Sequence, residues 1–283
     1  MQSLARPVRD LLWAVNSPLL IRLTSQASVP SCRLTPSDID SDHLRGYLSS
    51  YDERRVGRYF ERLIVYWIQY ICGYEIVAHS RQVIDGNRTV GEVDLLFRDS
   101  FGHVNHWEMA CKFYLRFDSK DTRTAKYIGP DSRDTLDRKT RRILEHQLPL
   151  GTRYFSGVDA QDAVVKGRIF YHWRNSARVS APVELAPDHL RGKWLWAREL
   201  PEWLGSSRLW YRVMRKPYWL SDEVANSSGD DILPVEEALE LLSNHFRNDG
   251  RPTLVCGFRD DSARAVELDR WFIVPDGWPN ETT

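Results

Sequence analysis

Four charged residues stand inside two otherwise apolar runs. Glu92 and Asp94 lie in Gly91-Glu92-Val93-Asp94-Leu95-Leu96-Phe97; Glu108 and Lys112 lie in His106-Trp107-Glu108-Met109-Ala110-Cys111-Lys112. Runs of this length, joined by the short turn Arg98-Asp99-Ser100-Phe101-Gly102-His103, read as neighbouring β-strands of a hairpin. Alternate side chains along a strand share a face. Trp107, Met109, Cys111 and Phe113 then form one apolar face, with Glu108, Ala110 and Lys112 on the other. In the first strand Val93, Leu95 and Phe97 share a face, and Glu92 and Asp94 share the opposite one. Paired, the strands bring carboxylates and an ammonium to one side of a sheet. That is a metal site with a general base or a charge stabiliser beside it. Half-buried strands also carry charges on a solvated face, where an acid–base pair is only a weak ion pair. The clean separation of apolar from charged positions in both strands favours a site.

The surrounding segments supply the scaffold. Val56, Phe60, Leu63, Ile64, Trp67 and Ile71 recur every three or four residues and predict a helix closed by Gly73. Residues 74–84 read as a strand ending in the turn Asp85-Gly86-Asn87. After Leu115 comes a polar loop with Arg116, Lys120, Arg123 and Lys126, stopped by Gly129-Pro130-Asp131, which offers an N-cap. A second helix over about 132–148 buries Leu136, Ile143 and Leu144. Arg138, Lys139, Arg141 and Arg142 make it basic and suit it to phosphate contacts. Residues 164–173, with Gly167 inside, read as a further strand. Helix, three strands, helix, strand is a compact α/β core with a mixed sheet.

Three regions follow from this: a helical and irregular segment over 1–50, the α/β core over 51–175, and a smaller α+β part over 176–283. The last holds most of the eleven tryptophans, with strands expected over 208–220 and 253–259 and an amphipathic helix over 236–246. Its tryptophans suit core-building more than base stacking. With 28% charged and 42% apolar residues the chain is globular rather than disordered. Lysine and arginine number 39, as do aspartate and glutamate, so any nucleic-acid contact must rely on a local patch. Cys32, Cys72, Cys111 and Cys256 lie far apart and match neither a zinc site nor a disulfide framework. No stretch approaches membrane-spanning length, and Arg9, Asp10 and Asn16 interrupt the N-terminal apolar run. A reducing cytoplasm is the expected compartment.

With this order of elements and these charged positions, the chain resembles the PD-(D/E)XK nuclease-like superfamily. More closely, it resembles an uncharacterised bacterial family, a domain of unknown function, within it. The likeness rests on Gly57-Arg58-Tyr59-Phe60-Glu61, Gly91-Glu92-Val93-Asp94-Leu95-Leu96, His106-Trp107-Glu108-Met109-Ala110-Cys111-Lys112-Phe113-Tyr114-Leu115, Asp137-Arg138-Lys139 and His146-Gln147-Leu148. The superfamily likeness spans about residues 52–173.

The resemblance implies a restriction-endonuclease-like core in which Asp94 and Glu108 hold a hard divalent cation, Mg²⁺ first and Mn²⁺ second. Glu61, on the first helix, would be a further metal-supporting acid. Lys112 would orient the attacking water or stabilise developing charge. The implied activity is metal-dependent phosphodiester hydrolysis on DNA, with RNA second. One departure stands out: the usual lysine follows the acid by two residues, whereas here Ala110 holds that position and Lys112 follows by four. That departure and the zero net charge favour the alternative, a catalytically inactive nuclease-fold protein that binds nucleic acid or a protein partner. Asp94, Glu108 and Lys112 on one face favour the enzyme.

Overall fold

The chain opens with helices α1 (Arg6–Asn16), α2 (Ser41–Ser49) and α3 (Val56–Tyr66), the last continuing as a π-helical turn over Trp67–Ile71. α2 lies in a stretch that reads as irregular because it has one deeply buried side chain, Leu44; its start is fixed by Asp40, whose carboxylate accepts the N–H groups of Asp42 and His43. α3 buries Phe60, Leu63 and Ile64, the stripe expected from its spacing, and Trp67 continues it into the π turn. The hairpin β1 (Glu75–Asp85) and β2 (Arg88–Arg98) follows, then β3 (Val104–Phe117) and the short β4 (Lys126–Ile128). This computed structural model describes residues 4–23, 33–118, 125–174, 182, 184–225, 232–248, 250–259 and 265–279; Cys32, Lys120 and Arg123 lie outside them.

The basic segment forms α4 (Leu136–Arg142), a π turn over Ile143–Gln147, and α5 (Leu148–Tyr154). Its N-cap is Thr135, whose hydroxyl accepts the N–H of Arg138, and not the expected Gly129-Pro130-Asp131; the Asp131 carboxylate is occupied by Arg133. Asp137 in the first turn and Lys139, Arg141 and Arg142 in the last match the helix dipole. Beyond come β5 (Val158–His172), β6 (Leu190–Trp196), α6 (Leu200–Gly205), β7 (Trp210–Val213), α7 (Val235–Arg247), β8 (Thr253–Phe258) and β9 (Asp269–Val274). The strand expected over 208–220 is confined to β7, and β6 and β9 are strands the sequence reading did not find.

The nine strands of the described residues belong to one mixed sheet in the order β1-β2-β3-β5-β6-β9-β8-β7, with β4 on β3. The strands of 190–274 therefore extend the sheet of the α/β core. β3 and β5 run parallel from Val104↔Val158 to Leu115↔Phe170. Parallel neighbours need a crossover, and α4 and α5 are that crossover. It lays the basic helix across the face of β3 that carries Glu108.

Both faces of β3 are covered. Trp107, Met109, Cys111, Phe113 and Leu115 pack with Phe60, Leu63, Ile64 and Trp67 in the largest core. Trp107 meets Phe97 edge-on at 5.0 Å between ring centroids. On the other side Ala110 and Tyr114 pack with Leu136, Ile143, Ala163 and Val165. The odd positions thus form the apolar face read from the sequence, while the even positions from His106 to Ala110 face a second helical layer and not solvent. Polar groups there must find partners inside the protein.

β2 departs from simple alternation. Leu95 and Phe97 pack in the largest core, but Val93 packs instead with Leu96 and Leu150 beneath α5. The expectation that Val93 shares a face with Leu95 and Phe97 fails because the pattern slips one step at Asp94.

Candidate functional site

The slip at Asp94 coincides with the end of a ladder. β2 pairs with β3 from Arg98↔Val104 only as far as Leu95↔Trp107. From there β2 stays with β1 and β3 continues with β5, so the two strands part. Backbone groups at such a fork need new partners, and the two acids provide them reciprocally. Asp94 Oδ2 accepts the N–H of Met109 at 2.8 Å, and Glu108 Oε1 faces the N–H of Asp94 at 3.4 Å. The sheet itself therefore fixes both carboxylates on one side, against each other.

Glu108 is buried to 1% exposure. Its Oε1 lies 2.9 Å from His106 Nε2, and its Oε2 accepts from Gln147 Nε2 at 2.5 Å. Burial pushes the His106 imidazole down to about 4, so the ring is neutral at physiological pH. With Nε2–H donating to Glu108, Nδ1 is left to accept, and Gln161 Nε2 stands 3.5 Å from it. Gly151 of α5 sits against this ring, where any Cβ would overlap His106 Nδ1. His106 is buried and shares the face of Glu108 two residues on. That i, i+2 relation was the available signal. Gln147 belongs to the segment His146-Gln147-Leu148, and nothing in the sequence foretells the π turn that carries it.

Asp94 lines an open cavity of about 720 Å³ whose wall also includes Glu61, Glu92, Lys112, Lys139 and Gln147. Glu108 lies behind, reaching the cavity through Asp94 and Gln147. Glu61 comes from α3, and Arg58 one turn earlier binds it at 2.9 Å. Arg58 also reaches Ser80 Oγ of β1 at 2.9 Å and Glu92 of β2 at 3.5 Å, clipping the helix to the hairpin.

Electrostatically the acids of the site are held back from ionisation, first by burial. Burial and then the charge of Asp94 push Glu61 up to about 7. The Asp94 carboxyl is raised by burial and then by Glu108, and Glu108 is raised by burial. Like charges this close disfavour double ionisation, so the pair keeps a proton well above the usual carboxylate range.

The basic residues divide. Arg138, Lys139 and Arg142 line the cavity, with Arg55, Arg58 and Arg133 around it. Arg141 does not: it lines a separate groove with Leu144, Glu145 and Glu184, because it projects from the other side of α4. Lys112 reaches the cavity, but its Nζ is bound to Asp134 Oδ2 at 2.6 Å, and Asp134 Oδ1 also accepts from the Tyr114 hydroxyl at 3.2 Å. At the Lys112↔Gly167 pair a Cβ on β5 would overlap the Lys112 carbonyl, and Gly167 has φ +144°. Only glycine allows β3 and β5 to meet there.

Among the described residues, no group of three or more His, Cys, Asp or Glu side chains is arranged to hold a metal ion. A closed protein cage is therefore not what these residues build. Mg²⁺, however, is typically held by one or two carboxylates together with waters and substrate phosphates. Hard oxygen donors, crowded until they resist ionisation and opening on a basic-rimmed cavity, fit such a sparsely ligated cation.

No curated protein and no solved structure matches the chain. Residues 9–274 match a family described as a domain of unknown function, DUF1853, and the chain belongs to that family.

Proposed function

We propose that this DUF1853 member is a metal-dependent phosphodiesterase of the PD-(D/E)XK type, acting on DNA ahead of RNA. The observation that carries the reading is the reciprocal Asp94–Glu108 pair at the fork of β2 and β3, open to a basic-rimmed cavity. Asp94 and Glu108 are the residues that would hold Mg²⁺ or Mn²⁺, with Glu61 adding negative charge from the same cavity wall. Glu108 keeps acceptor capacity for this, since a carboxylate offers about four lone-pair sites. When bound, the cation supplies Lewis-acid charge at a phosphoryl oxygen and makes a water more acidic. Arg138 and Arg142 hold backbone phosphates at the cavity mouth, and Arg58 keeps Glu61 turned toward Asp94. His106 and Gln147 fix the orientation of Glu108.

A second reading has its own support: Lys112 is tied to Asp134 and Glu108 is already hydrogen-bonded through both oxygens, as in a nuclease fold that binds nucleic acid or a protein without cutting. Labelled single- and double-stranded DNA and RNA oligonucleotides, incubated with Mg²⁺ and then Mn²⁺, separate the two. The enzyme reading expects cleavage that needs the divalent ion and is lost in Asp94→Asn. Binding without cleavage in every condition would favour the second.

A further inference from the structure

The strand pattern leaves a gap beside the acid, and a different lysine reaches toward it. Ala110 occupies the position two residues after Glu108. Lys112 has a carboxylate partner of its own in Asp134, and their side chains are 28% and 37% exposed. Lys139 arrives from the crossover helix instead. Its Nζ donates to Gln147 Oε1 at 2.9 Å, and the amide of the same Gln147 donates to Glu108 Oε2 at 2.5 Å. The lysine, the glutamine and the buried acid form one chain. Among the described residues no carboxylate lies within salt-bridge distance of Lys139; its hydrogen-bond partner is a neutral amide. An ammonium has three N–H donors, so two remain for a ligand. Its charge acts on both Asp94 and Glu108, and it lines the same cavity as Asp94.

We propose that Lys139, held by Gln147, is the catalytic lysine of this site, filling from helix α4 the role that Ala110 cannot fill from strand β3. The inference rests on the phosphodiesterase reading and adds to it the residue that faces the reacting phosphate. In hydrolysis the water oxygen bonds to phosphorus, the bond from phosphorus to the leaving sugar oxygen breaks, and one water proton ends on that leaving oxygen. Lys139 gives up no proton. Its N–H groups donate to the phosphoryl oxygens as negative charge grows on them. Lys112 and Asp134 remain an ion pair on the cavity wall.

Two measurements on the full chain test this. The first compares single-turnover cleavage at saturating oligonucleotide for wild type, Lys139→Met, Lys139→Gln and Lys112→Ala, with oligonucleotide affinity measured in Ca²⁺. Methionine keeps the length and apolar stem of lysine and glutamine keeps a polar end, so one of the two retains the fold. Loss of about a hundredfold or more in rate is expected at Lys139, at least tenfold beyond the loss at Lys112, with affinity changing far less. A larger loss at Lys112 overturns the assignment.

The second measurement needs no cleavage: calorimetric titration of Mn²⁺ into substrate-free protein. Removing a cation from beside the carboxylates should tighten Mn²⁺ binding by about threefold or more in both Lys139 variants, and less in Lys112→Ala. Unchanged Mn²⁺ affinity at Lys139 overturns the proposal while leaving the phosphodiesterase reading intact. Absence of Mn²⁺ binding in every form overturns both. Wild-type Mn²⁺ binding without cleavage removes the hydrolytic reading, and the affinity change still decides whether the charge of Lys139 acts at the carboxylates.

Discussion

Glu61, Asp94 and Glu108 are acids largely withdrawn from water, and that has a cost in stability. Glu61 ionises near 4.5 when exposed and near 7 in the fold. Below about 4.5 it is protonated in both states and costs nothing. As pH rises toward 7 the unfolded chain releases the proton and the folded chain does not, so stability falls through that window and stays lower above it. Each pKa unit corresponds to about 1.4 kcal/mol, which puts the penalty on the order of 3–4 kcal/mol. In EDTA we expect Glu61→Gln to be more stable than wild type at pH 8, with the difference disappearing below pH about 4.5; urea unfolding across pH measures it. A Glu61→Gln protein less stable than wild type at pH 8 would show that Arg58 compensates the buried charge. The acids themselves were legible because charges inside apolar runs stand out. The identity of the lysine was not: Lys139 is distant in sequence and meets Glu108 only through Gln147.

At the scale of elements, the site is built by three events: a ladder that stops, a crossover that returns, and a π turn that rotates a side chain inward. The strands were readable because apolar alternation survives in β3 even with both faces buried. The slip at Asp94 was not, since a one-step change of face depends on where the ladder ends and not on residue type. β6 is hard to read because Gly192 and Lys193 interrupt it, and β9 because its first two residues, Asp269 and Arg270, are charged. That guanidinium is 1% exposed and satisfied by Glu267 and by the carbonyls of Trp219 and Ser221, a solution invisible in one dimension. The contact of α5 with β3 is open to a direct test. Gly151→Ala pushes a methyl into His106 and Gln161, and overpacking of this kind costs about 1–3 kcal/mol. In a double-mutant cycle we expect much of that cost to vanish when His106 is already Ala; additive costs would mean that Gly151 is needed for another reason.

Across the whole molecule, 39 basic and 39 acidic residues cancel, yet the cavity rim gathers Arg55, Arg58, Arg133, Arg138, Lys139 and Arg142. A neutral total and a local basic mouth suit a protein that engages a polyanion at one place instead of coating it. The tryptophans of the C-terminal region are spent on architecture: Trp194, Trp203, Trp219, Trp271 and Trp278 are all buried. No described helix is long and apolar enough to cross a membrane. What the molecule presents is one long sheet whose fork carries the acids and whose crossover carries the bases. The most direct test is the rate at which wild type and Glu108→Gln cleave the same fluorescent duplex in Mg²⁺. The substitution keeps size and hydrogen-bonding reach but removes the negative charge. We expect divalent-dependent cleavage by the wild type and loss of about a hundredfold or more in the variant, with folding retained. Wild-type cleavage that survives the substitution unchanged would contradict the role of Glu108, and the absence of any wild-type cleavage would contradict the activity itself.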